Sequence, residues 1–97
     1  MRIVRLSPYA RDDLTRLVGF LVDKSPSAAR RARASLLKAF ETLAHLPDRG
    51  APLAADARDL RQLHVKFGRF GYLVHYRVDA KSVLVARIFH PLEDRAP

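Results

Sequence analysis

The chain has 97 residues, 48% hydrophobic and 29% charged, with 18 lysines and arginines against 10 acidic residues and a formal net charge of +8. That length predicts a single domain over residues 1–97 with one core, and the composition excludes a disordered chain. There is no cysteine for disulfides or a thiolate metal site, no apolar run near the ~20 residues of a membrane span, and no signal-peptide apolar segment after MRIVRL; a cytoplasmic protein with no membrane partner is expected.

A small domain this basic implies an acidic partner, either nucleic acid or an acidic protein, although solubility alone also accounts for such a charge. In chain order, residues 1–6 alternate (Ile3 and Arg5, Val4 and Leu6) and read as a first strand. Ser7-Pro8 is a helix N-cap followed by proline at the first helical position, where its missing N–H costs nothing. Ala10, Leu14, Leu17, Val18 and Leu21 then form one apolar stripe of a helix ending near Lys24. Ser25-Pro26 repeats the cap. The second stripe is Ala29, Ala32, Leu36, Phe40 and Leu43, in a helix ending near Leu46 because the residue before Pro47 is pushed out of the helical region.

The two helices are expected to form a hairpin, with small alanines allowing close approach at one end. Arg30, Arg31, Arg33 and Lys38 lie off the second stripe, as a solvated face or a docking surface for an acidic chain. Residues 47–58, rich in Pro, Gly, Asp and Ala, read as one long loop.

Residues 59–90 hold three strand-like runs, separated by Gly68-Arg69-Phe70-Gly71 and by Asp79-Ala80-Lys81-Ser82, the pattern of an antiparallel meander. A turn at residues 79–82 sets Val78 opposite Val83, Tyr76 opposite Val85, Val74 opposite Arg87 and Tyr72 opposite Phe89. Leu73, His75, Arg77, Leu84, Ala86, Ile88 and His90 then share the other face, and parity alone does not say which face meets the helices. Strands apolar on both faces belong in the middle of a sheet.

No phosphate loop, dinucleotide fingerprint or zinc finger is present, and no serine is placed for triad catalysis. His45, His64, His75 and His90 have no metal-ligand spacing, so neither metal nor cofactor is expected. The meander instead concentrates Arg58, Arg61, His64, Lys66, Arg69, His75, Arg77, Arg87 and His90. Metal-free RNA cleavage needs a base for the 2′-hydroxyl, an acid for the leaving oxygen and cations on the phosphate, which His and Arg can supply. His90 is the best single candidate, the alternative being a capped, structural imidazole. His64 reads as exposed, and Tyr72 and Tyr76 read as core.

The chain resembles the RelE/ParE superfamily of toxins from type II toxin–antitoxin pairs, nearly end to end. The similarity is carried by A-x-x-D-L (Ala10, Asp13, Leu14), L-x-x-L-P-x-x-G (Leu43, Leu46, Pro47, Gly50), R-x-L (Arg61, Leu63), G-Y-x-V-x-Y-R-V (Gly71 to Val78) and V-x-R-I-x-H (Val85 to His90). It implies an α+β fold of order β-α-α-β-β-β, a helical hairpin packed on a small antiparallel sheet.

RelE-like members are ribosome-dependent mRNA endonucleases; ParE-like members poison DNA gyrase and lack the nuclease constellation. Of the two lysines of the nuclease pattern only Lys66 is matched, His64 standing at the other. Leu73 and Leu92 stand where that pattern has arginines. Leucine neither neutralises a phosphorane nor donates to it, and losing one charged transition-state stabiliser costs on the order of 3 kcal/mol. The ParE-like ending V-R-I-x-H-x-x-R-D is matched by Arg87, Ile88, His90 and Asp94, with Glu93 in place of its arginine.

The resemblance therefore implies a ParE-like toxin that binds DNA gyrase, with Arg61, Arg69, Arg87 and His90 as target contacts. A cognate antitoxin would neutralise it through an acidic C-terminal segment, in a toxin–antitoxin hetero-oligomer, with Arg30, Arg31, Arg33 and Arg77 as its contacts. The alternatives are a RelE-like endonuclease acting on ribosome-bound mRNA through His90, Arg87, Lys66 and Arg69, and a non-toxic relic that binds antitoxin alone.

Overall fold

The computed structural model describes residues 1–93, the side chains of residues 57 and 58 excepted. β1 (Ile3–Leu6) leads into α1 (Pro8–Val22), and α2 (Pro26–His45) follows at once. Both caps form. Ser7 Oγ accepts the Ala10 N–H at 3.0 Å, and Ser25 Oγ accepts that of Ala28 at 3.1 Å. Ser7 also donates to the Ala86 carbonyl at 2.7 Å, pinning the start of α1 to the last strand. Replacing Ser25 with alanine is expected to lower stability by about 1 kcal/mol in urea unfolding, and Ser7→Ala by about 2, because the second change also leaves a carbonyl unpaired.

Four more strands follow: β2 (Ala51–Ala54), β3 (Ala57–Val65), β4 (Tyr72–Val78) and β5 (Ser82–Phe89). They form a sheet of order β1-β5-β4-β3-β2. Both helices pack on one face of it, burying Leu17, Leu36, Phe40 and Leu43 against Leu63, Val74, Tyr76, Val83, Val85 and Ile88. The α+β class and the order of the expected elements hold, and β4 and β5 are interior strands. Two features differ from the sequence reading. The sheet is mixed, because β1 runs parallel to β5, from Ile3 opposite Ser82 to Leu6 opposite Val85. And the stretch at 47–58 is not wholly loop: β2 pairs with β3 there, Ala51 opposite Gln62 and Pro52 opposite Arg61. Alanine and proline have little strand propensity, and proline is tolerated because β2 is an edge.

The β4–β5 register is as expected near the turn and shifts beyond it. Asp79 Oδ1 accepts the amides of Lys81 and Ser82, at 2.8 and 2.7 Å, fixing the turn. Val78 faces Val83 and Tyr76 faces Val85, but a bulge between His75 and Tyr76 then sets Val74 opposite Ile88 and Leu73 opposite Phe89. The expected pairs Val74–Arg87 and Tyr72–Phe89 do not form. The physical cause lies on the other edge of β5. β1 ends at Leu6, and the Ser7 amide makes the last ladder bond, to the Val85 carbonyl at 2.9 Å. Ser7 Oγ then takes the Ala86 carbonyl, and the Asp13 carboxylate takes the Ile88 amide at 2.9 Å. The extra residue turns Ile88 into the core and leaves Arg87 half-exposed beside α1.

Candidate binding groove beside His90

Asp13 is the hinge of this region. Only 4% exposed, it accepts from Arg87 Nε at 2.8 Å and Nη2 at 3.1 Å, from Arg16 Nη2 at 3.1 Å and from the Ile88 amide. Burial pushes its carboxyl upward, but the bonds from Arg87, Ile88 and Arg16 together outweigh that and hold it below the ordinary carboxylate range. One carboxylate thus substitutes for the missing strand partner of β5, orients Arg87 and steadies Arg16.

One turn further along α1, Leu17, Phe20 and Leu21 form one wall of a groove of about 540 Å³, and Phe67, Arg69, Phe70 and Tyr72 form the other; His90, Leu92 and Glu93 line it as well. The second wall is shaped by glycine: Gly71 has φ +70°, and a Cβ there would stand 2.7 Å from His64 Nε2. Its amide closes on the Phe67 carbonyl at 2.8 Å, while His64 Nε2 lies 2.8 Å from the Phe70 carbonyl. The loop carrying Phe67 and Phe70 is fixed by these bonds.

His90 sits edge-on to the rings of Phe70 and Tyr72, at centroid distances of 5.7 and 6.2 Å. Its Nδ1 accepts the Leu92 amide at 3.1 Å, which leaves Nε2 as the nitrogen that can meet a ligand. Burial pushes the Tyr72 hydroxyl above the ordinary tyrosine range, so it remains protonated at neutral pH. The groove is therefore an aromatic slot with an imidazole at one end, flanked by cations.

The expected site residues do not gather in one place. Arg69 and His90 share the groove, with the Arg69 guanidinium 5.3 Å from the Phe70 ring centroid and no ion pair to a described carboxylate. Arg87 is bound to Asp13 and lies 4.8 Å from the Phe89 ring centroid. Lys66 lines a second groove, with Lys38, Arg49 and His64. Arg61 donates to the Gly50 carbonyl at 2.6 Å and so holds the approach to β2. Arg77 pairs with Asp59 at 2.8 Å on the surface. Arg30, Arg31 and Arg33 are exposed along α2, where Arg31 donates to Ser27 Oγ.

Leu73 alternates with buried Tyr72 and Val74 and lies opposite Phe89 and His64, while Leu92 is 67% exposed at the groove mouth. Asp94 and the side chain of Arg58 lie outside the described residues. Reading the sequence missed Arg16, Phe20, Phe67 and Phe70 as site residues. The available signal was Phe20, a large aromatic off the apolar stripe of α1, and the phenylalanines flanking Gly68.

A helical hairpin on one face of a mixed five-stranded sheet, with Asp13 and Arg87 joining the first helix to the last strand, defines a small α+β class of protein. The chain matches the family described as the ParE toxin of the type II toxin–antitoxin system parDE over residues 4–95, and it belongs to that family. It is a type II toxin of the RelE/ParE superfamily. Toxin RelE3 of Caulobacter vibrioides is 43% identical over 95 residues, covering 98% of this chain and all of the relative. Toxin RelE1 of the same organism is 36% identical over 92 residues, covering 95% and 96%.

Among solved structures, a chain of the chromosomal ParDE toxin–antitoxin system of P. aeruginosa superposes with a TM-score of 0.74 at 21% identity, over 93% of this chain and 96% of that one. The toxin–antitoxin complex RelBE2 of Mycobacterium tuberculosis gives 0.64 at 27% identity, over 92% and 96%.

Proposed function

We propose that this toxin arrests growth by binding a protein target, DNA gyrase, in the cytoplasm, and that a cognate antitoxin neutralises it by laying an acidic segment on its basic surface. The observation that carries the choice of binding over RNA cleavage is the Asp13–Arg87 pair. Arg87, the arginine of β5, has its Nε and Nη2 donors engaged on a buried carboxylate, so this cation is tied into the fold rather than held ready for a phosphate. Around the imidazole itself stand aromatic rings, and Leu73 and Leu92 occupy the positions of two arginines of the nuclease pattern. No helix is long and apolar enough to cross a membrane among the described residues.

A second reading, the ribosome-dependent endonuclease, draws on the shared placement of Arg69 and His90 along one groove and on relatives that carry RelE names. Expression without the antitoxin separates the two. Growth arrest with intact transcripts and relaxed or broken DNA is expected, and His90→Ala should create no difference in RNA. Transcripts cut within translated regions, with the cutting lost in His90→Ala, would overturn the binding reading. No arrest at all would mean a chain that retains antitoxin binding alone.

A further inference from the structure

We propose that the second groove, between α2 and the end of β3, grips the sugar–phosphate backbone of duplex DNA, so that this chain touches DNA as well as a protein target. The inference goes beyond the gyrase reading and does not depend on it.

The sequence lays down one wall. Ser27, Arg31, Ser35, Lys38 and Thr42 recur along α2 at spacings of three and four, one helical stripe of hydroxyls and cations. Past the helix end, Arg49 donates to Thr42 Oγ1 at 2.5 Å and continues that stripe. The other wall is the end of β3. Among the described residues β2 pairs with β3 only as far as Gln62, so residues 63–66 meet no strand on that side. The space left, about 450 Å³, runs between Lys66 and the row Ser35, Lys38, Thr42 and Arg49.

The charge there is unopposed. No carboxylate lines the groove. Glu41, the one acid of α2, is not part of its lining, and Asp48 lies 3.6 Å from Arg61 instead. Arg16, Arg77 and Arg87 are bound to carboxylates of the fold, whereas Lys38, Arg49 and Lys66 make no ion pair to a described carboxylate. Three such cations and two hydroxyls around one trough are the donors that hold phosphate oxygens.

What the groove lacks selects the ligand. Protein docking surfaces centre on buried aromatic or large apolar anchors, and single strands are held by rings on which bases stack. The one ring in this lining, His64, is tied through Nε2 to the Phe70 carbonyl, and Leu46 is the one large side chain there that is mostly open to water. A duplex presents fixed rows of phosphates and asks only for cations and hydroxyls.

The test is fluorescence anisotropy of the full chain with a labelled duplex DNA of about 20 base pairs and arbitrary sequence, between about 50 and 200 mM salt. The logarithm of the affinity should fall against the logarithm of salt with a slope of about −2.5 to −3, the value for three phosphate contacts. Lys38→Gln, Arg49→Gln and Lys66→Gln combined should weaken binding at least tenfold and flatten the slope, while Arg11→Gln, Lys24→Gln and Lys81→Gln combined, with the same loss of charge outside the groove, should change it by about twofold or less. All six side chains are exposed, and a thermal melt checks that both variants stay folded.

A single strand of the same length, or a polyglutamate peptide of matching charge, should compete at least tenfold less well than unlabelled duplex. Equal losses in the two triple variants would overturn the proposal by showing that net charge alone binds. Competition by the single strand or by polyglutamate as strong as that by duplex would overturn it too, by making the groove a site for stacked bases or for an acidic protein. No gyrase is present in this assay, so its failure leaves the proposed target standing, and failure of the target leaves the groove standing.

Discussion

Asp13→Ala is expected to cost about 3 kcal/mol of folding stability and to lower the midpoint of thermal unfolding by roughly 15 °C, the largest effect expected of a single polar change among the described residues. Removing one partner of a buried ion pair leaves the rest uncompensated, and here the Arg87 guanidinium and the Ile88 amide lose their acceptor while Arg16 keeps only Glu93. Because the Arg16 and Arg87 side chains are 47% and 44% exposed, water recovers part of the loss, which places the cost at the low end for buried pairs. Asp13→Asn keeps an acceptor for the Ile88 amide and is expected to cost about half as much.

The sign of the pH dependence follows from the depressed carboxyl of Asp13. Its contribution is complete above the unfolded-state value of about 4 and is lost as pH falls through the lower folded-state value. Urea unfolding at neutral pH should therefore separate wild type from Asp13→Asn, with the gap closing below about pH 4. A gap independent of pH would show that the carboxylate charge contributes nothing.

Gly50→Ala is expected to destabilise the fold by about 2–3 kcal/mol, although the change adds a single methyl group. A Cβ at Gly50 would stand 2.6 Å from the Gln62 carbonyl oxygen and 2.7 Å from the Tyr76 hydroxyl. Neither can retreat. Gln62 belongs to β3, and Tyr76 is fully buried in β4, its hydroxyl donating to the Pro47 carbonyl at 2.7 Å and accepting the Gly50 amide at 2.8 Å. This one hydroxyl turns the chain from the end of α2 into β2, which accounts for the glycine of the helix exit and the second tyrosine of β4 together. Tyr76→Phe should cost about 1–2 kcal/mol, since two backbone groups lose their partner. Because both changes act on one contact, the double variant should be less destabilised than the sum of the singles. Simple additivity in urea unfolding would contradict the contact.

Much of the fold was legible in the residues because its signals are local. Ser7-Pro8 and Ser25-Pro26 cap where the helices start, Leu36, Phe40 and Leu43 face the sheet, and Asp79 fixes the final turn with its own side chain. What escaped depends on distant partners. β2 forms because β3 offers an edge, not because Ala51 and Pro52 favour strand. The bulge in β5 forms because β1 stops at Leu6 and Asp13, more than 70 residues away in sequence, supplies the next acceptor. The candidate site was less legible for the same reason. Arg87 reads as a free cation beside His90 until Asp13 is placed against it, and Arg61 as a target contact until it is found on the Gly50 carbonyl. Phe20 carried a signal that charge-centred reading passed over.

The most direct measurement of whether this chain acts by binding rather than by cutting is DNA supercoiling by purified gyrase in the presence of the purified toxin, run beside a translating extract with the same toxin. Supercoiling should stall while messenger RNA in the extract stays full length. Unimpaired supercoiling together with transcripts cleaved at the ribosome would contradict it.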